Sequence, residues 1–272
     1  LLWRREISHD RQVEISKPLG QENKNGIHGT VHQHEDSATD ESFARKLIME
    51  HGYYKDKGLP DSKEGYRCPS WDPMPSGKKN VVILGCSHTY GVGHTDTHWV
   101  EYLSKHNTER LRYWNLAQPG ASADKIVRIL YGCEKLIDPR IVIVCWPAWS
   151  RREKLGSHPQ SLTADDEYLK LEDEDTDKNN FLKNLFFVEK FAEKNNCKTF
   201  HCFAQDSYHD DILTLNVLQD YTIKNCWPYW DRLTQRKQHK LPSLASDGIH
   251  YGVEHHERFA SLFLEKFGNK LK

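Results

Sequence analysis

The chain lacks most of the signatures that assign a protein quickly to a class. No apolar run approaches the roughly 20 residues that a membrane-spanning helix needs. Net charge is −1, from 38 basic and 39 acidic residues, so no global field points toward nucleic acid or a membrane surface. The seven cysteines contain no Cys-x-x-Cys pair and the sixteen histidines no His-Glu-x-x-His, which argues against a zinc ribbon or a helical zinc site. No Gly-x-Gly-x-x-Gly follows a strand, so a dinucleotide site is unsupported. There is no internal repeat. No signal peptide is readable, because Leu1-Leu2-Trp3 runs at once into Arg4-Arg5-Glu6 without an apolar core. The missing initiator Met points to a fragment or processed chain. The odd cysteine count and the absent signal peptide favour a reducing, cytoplasmic setting.

What is present divides unevenly along the 272 residues. Hydrophobic content of 37% beside 28% charge is polar for a globular chain, so part of it is expected outside the core. Residues 1 to about 40 hold few large apolar side chains and read as a polar arm whose partner is unknown. A short helix is expected over 40–51, with Phe43, Leu47 and Ile48 on one face, and loop from 53 to 77. Residues 1–64 are therefore taken as an N-terminal extension and 65–272 as the folded domain. Cys86, Cys133, Cys145, Cys197 and Cys202 lie in or beside apolar segments and read as small buried hydrophobes. His28, His32 and His34, and the pair His255 and His256, read as solvated surface groups.

From Asn80 onward, strands alternate with helices. Val81 to Leu84 reads as a short buried strand, followed by a polar loop containing Ser87, Gly91 and Gly93. A helix follows over 97–105. A second strand is expected over 112–116, a helix over 123–136 with Ile126, Ile129, Leu130 and Cys133 in a stripe, and a third strand over 141–146. The acidic run 165–177 reads as an exposed loop, 181–194 as a helix and 199–203 as a fourth strand. A short helix over 208–218, a loop over 223–242 carrying Trp227, Tyr229 and Trp230, and a closing helix over 253–267 complete the domain. Strands separated by helices imply a parallel, flavodoxin-like sheet in a three-layer α/β/α sandwich.

The chemistry sits at element boundaries. Ser87 lies two residues past the first strand, where open α/β sheets place their ligand sites. A serine hydroxyl needs an adjacent base to act as a nucleophile at neutral pH. Asp247-Gly248-Ile249-His250 puts a carboxylate and an imidazole in one tight turn, close enough for the first to orient the second. An oxyanion formed on attack needs donors. The Ser87 N–H is one candidate, and Gly120, in a turn after the second strand, is the other. The bland reading of Ser87 is a turn serine. The arrangement is not the Gly-x-Ser-x-Gly elbow, since Thr89 takes the place of its last glycine.

These residues resemble the SGNH, or GDSL-type, hydrolases. Gly85-Cys86-Ser87-His88-Thr89-Tyr90-Gly91 is similar to the family's first block, Gly-Asp-Ser-x-Thr-x-Gly. Asn115-Leu116 with Gly120-Ala121-Ser122 resembles the second, and Asp247-Gly248-Ile249-His250 the last. Gly65-Tyr66-Arg67 and Thr97-His98-Trp99 also resemble segments common in the family. The resemblance covers roughly 65 to 267. It implies a serine esterase or lipase acting on small acyl groups, with Ser87 as nucleophile, His250 as base and Asp247 as its orienter; the expected reaction is that of an esterase or deacetylase on a small-molecule or carbohydrate ester. No cofactor or metal is implied.

Two positions depart from the family pattern. Cys86 stands where it has Asp. After the third strand the family places Gly-x-Asn-Asp, whereas this chain reads Pro147-Ala148-Trp149-Ser150-Arg151-Arg152-Glu153, with no asparagine. Losing one such oxyanion donor costs about 2.7–4 kcal/mol in enzymes that rely on it. Ser150 or Arg151 is the available substitute, and Cys86 and Trp146 are candidate pocket residues. The bland reading of Arg151-Arg152-Glu153 is a solvated helix start. The alternative to an enzyme is a degenerate member of the fold that binds without turnover, which the missing asparagine and the polar arm favour.

Overall fold

The computed structural model describes residues 65–69, 77–94, 97–154, 160–162, 173–204, 244–248 and 250–272. The expected extension 1–64, the helix at 208–218 and the loop at 223–242 with its aromatic residues lie outside them, as do His28, His32 and His34.

Among the described residues, four parallel strands form the central sheet, and the second in the chain lies at one edge, followed by the first, the third and the last. They are β1 (Lys79–Gly85), β2 (Leu111–Asn115), β3 (Pro139–Trp146) and β6 (Lys198–Phe203). The inner strands β1 and β3 are buried on both faces, which is why Val81–Leu84 and Ile141–Trp146 are unbroken apolar runs rather than alternating ones. A short antiparallel pair, β4 (Arg152–Lys154) with β5 (Gln160–Leu162), stands apart from this sheet.

Among the described residues the helices are α1 (Ser87–Tyr90), α2 (Trp99–Ser104), α3 (Ala123–Ile137), α4 (Glu174–Asn195) and α5 (Val253–Phe267), followed by a 3₁₀ turn, Gly268–Leu271. They pack in two pairs, α2 with α5 and α3 with α4. The strand order explains the pairing. The chain steps from β1 to β2 in one direction and from β2 to β3 and β6 in the other. Right-handed crossovers then put the two sets of helices on opposite faces of the sheet. The result is the three-layer α/β/α architecture.

On the α2/α5 face, Phe259, Phe263 and Phe267 are fully buried; Phe259 meets Trp99 with ring centroids 5.0 Å apart, and Phe267 meets Phe200 at the same separation. Each such side chain stabilises the fold by about 1.5–3 kcal/mol relative to exposure. The α3 helix starts at Ser122, whose hydroxyl accepts from the Lys125 N–H at 3.2 Å, and ends at Asp138 in the left-handed conformation.

Three expectations are corrected here. The acidic run does not stay loop to Asp177: Asp173 caps α4 by accepting from the Thr176 N–H at 2.7 Å, and Glu174, Asp175 and Asp177 occupy its first turn. Carboxylates are stabilising at a helix N-terminus, so the charge that looked like a loop signal is a helix-start signal. Arg151-Arg152-Glu153 does not open a solvated helix, because Arg152 and Glu153 lie in β4. Glu153 takes two bonds from Arg128, at 2.7 and 3.0 Å, and Arg152 pairs with Asp177 at 2.6 Å. These pairs fasten the β4 strand to α3 and α4. Finally, His255 and His256 are each 1% exposed. His256 faces the start of α2, where its Nδ1 accepts the Trp99 N–H at 3.1 Å.

Candidate active site

The β1 strand ends at Gly85, and the chain reverses at once into the single turn α1, of which Ser87 is the first residue. Ser87 therefore stands on a helical turn, not in the polar loop expected there. Gly85 is required by that reversal. A Cβ at this position would sit 2.3 Å from Thr89 Oγ1 and 3.0 Å from the Cys145 carbonyl, so no larger residue fits beneath the turn. Ser87 lies beyond the carboxyl end of β1, at the point where the chain order reverses between β2 and β3. That is the crevice in which open α/β sheets bind ligands.

The loop after β2 is stitched alongside. Leu116 N–H donates to the Ile83 carbonyl at 2.8 Å and Gln118 N–H to the Gly85 carbonyl at 3.0 Å. Asn115 Nδ2 donates to the Thr89 carbonyl at 3.1 Å. Gly120 follows in a turn with φ of 71°. Among the described residues, the N–H groups of Ser87 and Gly120 donate to no protein acceptor.

Asp247 and His250 come from the turn before α5. Asp247 Oδ2 meets His250 Nδ1 at 2.5 Å, and Asp247 Oδ1 accepts the His250 backbone N–H at 3.0 Å. The carboxylate thus fixes both the ring and the turn, and both side chains are part-exposed. The turn is held to the loop after Ser87 by Ser246, whose hydroxyl donates to the Gly93 carbonyl at 2.9 Å. The His88 ring packs edge-on against His250, with centroids 5.2 Å apart, and lies the same distance from the Tyr251 ring. His250 therefore reaches the residue beside Ser87. No hydrogen bond joins Ser87 Oγ to His250 in this structure.

A layer of buried histidines lies behind the site. His94 Nε2–H donates to the Tyr251 carbonyl at 2.6 Å, and the His94 ring sits 4.4 Å from that of His256. Burial holds the His88 imidazole down to about 3, the charges of His250 and Arg151 push the same way, and Asp247 opposes them. Burial likewise holds His98 at about 3, with Arg67 and His94 adding to the effect. These imidazoles are neutral at neutral pH. Their positions follow loops and helix ends, so nothing in the sequence periodicity marks them.

The remaining candidates separate by burial. Trp146 is fully buried: its Nε1–H donates to His201 Nδ1 at 2.9 Å and its ring packs edge-on against Phe181. It is a core residue behind the site and offers no surface to a pocket. Cys86 is 1% exposed; burial raises its thiol pKa, while the Arg151 charge pulls it down. Ser150 and Arg151 occupy the turn after β3 and keep partial exposure. A separate apolar cleft of roughly 420 Å³ lies against α4 and β6, lined by Leu182, Leu185, Phe186 and Cys197. None of Ser87, Asp247 or His250 borders it. No described helix is long and apolar enough to cross a membrane.

The chain matches no protein-family model and no curated protein. Solved structures similar to it include the psychrotrophic esterase EstA from Pseudoalteromonas sp., at 15% identity and TM-score 0.46, over 71% of this chain and 99% of that one. A member of the lipolytic G-D-S-L family from Veillonella parvula is similar at 12% identity and TM-score 0.46, over 70% and 98%. An acetylxylan esterase, Axe2 from Geobacillus stearothermophilus, is similar at 13% identity and TM-score 0.42, over 72% and 97%.

Proposed function

We propose that this chain is a serine hydrolase that cleaves a small acyl ester, as an esterase or deacetylase, with Ser87 as nucleophile, His250 as general base and Asp247 as the group that orients it. The observation that carries the reading is the Asp247–His250 pair, joined at 2.5 Å, with the His250 ring packed against that of His88, the residue beside Ser87. With Nδ1 held by the carboxylate, the proton-accepting position of the imidazole is Nε2.

In the proposed reaction, Ser87 Oγ attacks the acyl carbonyl carbon as His250 Nε2 takes the hydroxyl proton. The negative charge that develops on the carbonyl oxygen is met by the Ser87 and Gly120 N–H groups, both without an acceptor among the described residues. The C–O bond to the alcohol breaks, and the proton on His250 passes to the leaving oxygen. Water then attacks the acyl-enzyme, His250 takes its proton, and the proton returns to Ser87 Oγ as the acid leaves. The Ser87–His250 contact must close for this chemistry. Catalytic hydrogen bonds are often long without substrate and tighten in the complex.

One observation favours a second reading. The open Ser87–His250 contact also suits a module that binds an ester or a glycan and does not turn it over. Hydrolysis of p-nitrophenyl acetate by the wild type beside Ser87→Ala separates the two. The enzyme reading expects turnover that the substitution removes. Equal rates for both proteins would leave only the binding module.

A further inference from the structure

Two adjacent arginines follow β3, and their side chains are used in opposite ways. Arg152 is committed to the fold: its Nη1 donates to the Trp149 carbonyl at 2.9 Å and its Nη2 to Asp177 at 2.6 Å. Arg151 makes no side-chain hydrogen bond and no ion pair among the described residues, and its Nη1 is enclosed away from solvent without a partner. An enclosed donor left unpaired costs about 1–3 kcal/mol, and more on a charged group. Such a cost in a folded protein calls for a reason.

The position of Arg151 supplies one. The β3 and β1 strands run in parallel with Cys145 beside Gly85, so the turn 147–151 leaves β3 level with Cys86 and Ser87. The backbone of Arg151 is held on both sides, by its own N–H on the Ala148 carbonyl at 3.3 Å and by the anchored Arg152. The guanidinium charge acts on Cys86 and on His88, the two residues that flank Ser87.

We propose that Arg151 is a catalytic residue of the hydrolysis outlined above, its unpaired Nη1–H serving as the side-chain donor to the oxyanion. The inference rests on the serine-hydrolase reading. A donor with no ground-state partner gains its bond only when negative charge appears on the carbonyl oxygen, so its interaction energy goes to the transition state. A guanidinium also remains charged throughout. The donor lies in an enclosed setting, where a charge-assisted hydrogen bond is stronger than in water.

The test compares wild type, R151A, R151Q and R151K in p-nitrophenyl acetate hydrolysis, with thermal melts of each and fluorophosphonate labelling of Ser87 as a separate readout. R151A is expected to lower kcat by about 10²–10³-fold with KM little changed, because the lost bond belongs to the transition state. Guanidinium at sub-denaturing concentration is expected to restore part of the R151A rate. Should R151A melt early, R151K keeps the charge and stem without the fork, and is expected to fall between wild type and R151Q. An active wild type matched in kcat by R151A and R151Q would overturn this inference alone. So would a loss confined to KM, which would make Arg151 a substrate-binding group. A folded wild type that neither labels nor turns over would overturn the hydrolase reading and this one with it.

Discussion

Ser246 donates to Gly93 twice, through its hydroxyl at 2.9 Å and its backbone N–H at 3.3 Å, and so fastens the turn carrying Asp247 and His250 to the loop that follows Ser87. The two loops lie 153 residues apart in the chain. Their closeness depends on Gly93 having no side chain. With φ of +79°, a Cβ there would also stand 2.7 Å from the Ala245 Cβ and 3.4 Å from the Asp247 Cγ.

Gly93→Ala is therefore expected to push the Asp247 turn off the loop that follows Ser87. Left-handed backbone costs a non-glycine residue about 1–2 kcal/mol, and the contact with Ala245 adds to that. Ester hydrolysis should fall by more than the melting temperature shift explains. Ser246→Ala removes one of the two bonds and should cost only about 0.5–1.5 kcal/mol of stability. Equal effects of the two substitutions on kcat would show that the clash is not what matters.

Asp247→Asn is expected to preserve the fold, since an amide oxygen can still accept the His250 backbone N–H now held at 3.0 Å. The carboxylate that orients the ring is lost. If the triad operates, kcat should drop by about 10⁴-fold, through a wrongly oriented or wrongly tautomeric imidazole. The checks are steady-state kinetics with p-nitrophenyl acetate and a melt confirming an intact domain.

Much of this arrangement was legible in the residues. The two inner strands announce themselves as continuous apolar runs because both faces are covered, and the α5 stripe of Phe259, Phe263 and Phe267 has plain helical spacing. What escaped has a common cause, namely burial achieved by polar groups. The β4 strand is three charged or amphipathic residues fixed by ion pairs, so no hydrophobic pattern marks it. His255 and His256 look like surface groups until the start of α2 is seen to need the His256 acceptor. Trp146 looked like a pocket wall because it ends a strand beside the site. Its indole N–H instead finds a partner inside, in His201. The Ser246–Gly93 staple joins distant loops through short polar residues and leaves no periodic trace.

The buried histidines give the domain an acid limit. His88 and His98 are neutral in the fold, each held at about 3 chiefly by burial, and burial also lowers His94 and His256. In the unfolded chain such groups take up a proton near 6.5. The unfolded state then binds more protons below that pH, so stability is fully present above about 6.5 and is lost as pH falls toward 3. For His98 alone the loss by pH 5 is about 2 kcal/mol. Urea midpoints measured at pH 7 and pH 5 should show a clear decrease at the lower pH, and equal midpoints would contradict the neutral-histidine account.

The central claim, that Ser87 is an activated nucleophile, is tested most directly by treating the folded wild type with a fluorophosphonate and mapping the adduct by peptide mass spectrometry. The account predicts one covalent adduct, on Ser87, absent from Ser87→Ala and strongly reduced in His250→Ala. A folded wild-type protein that takes up no label, or takes it at another serine, would contradict it.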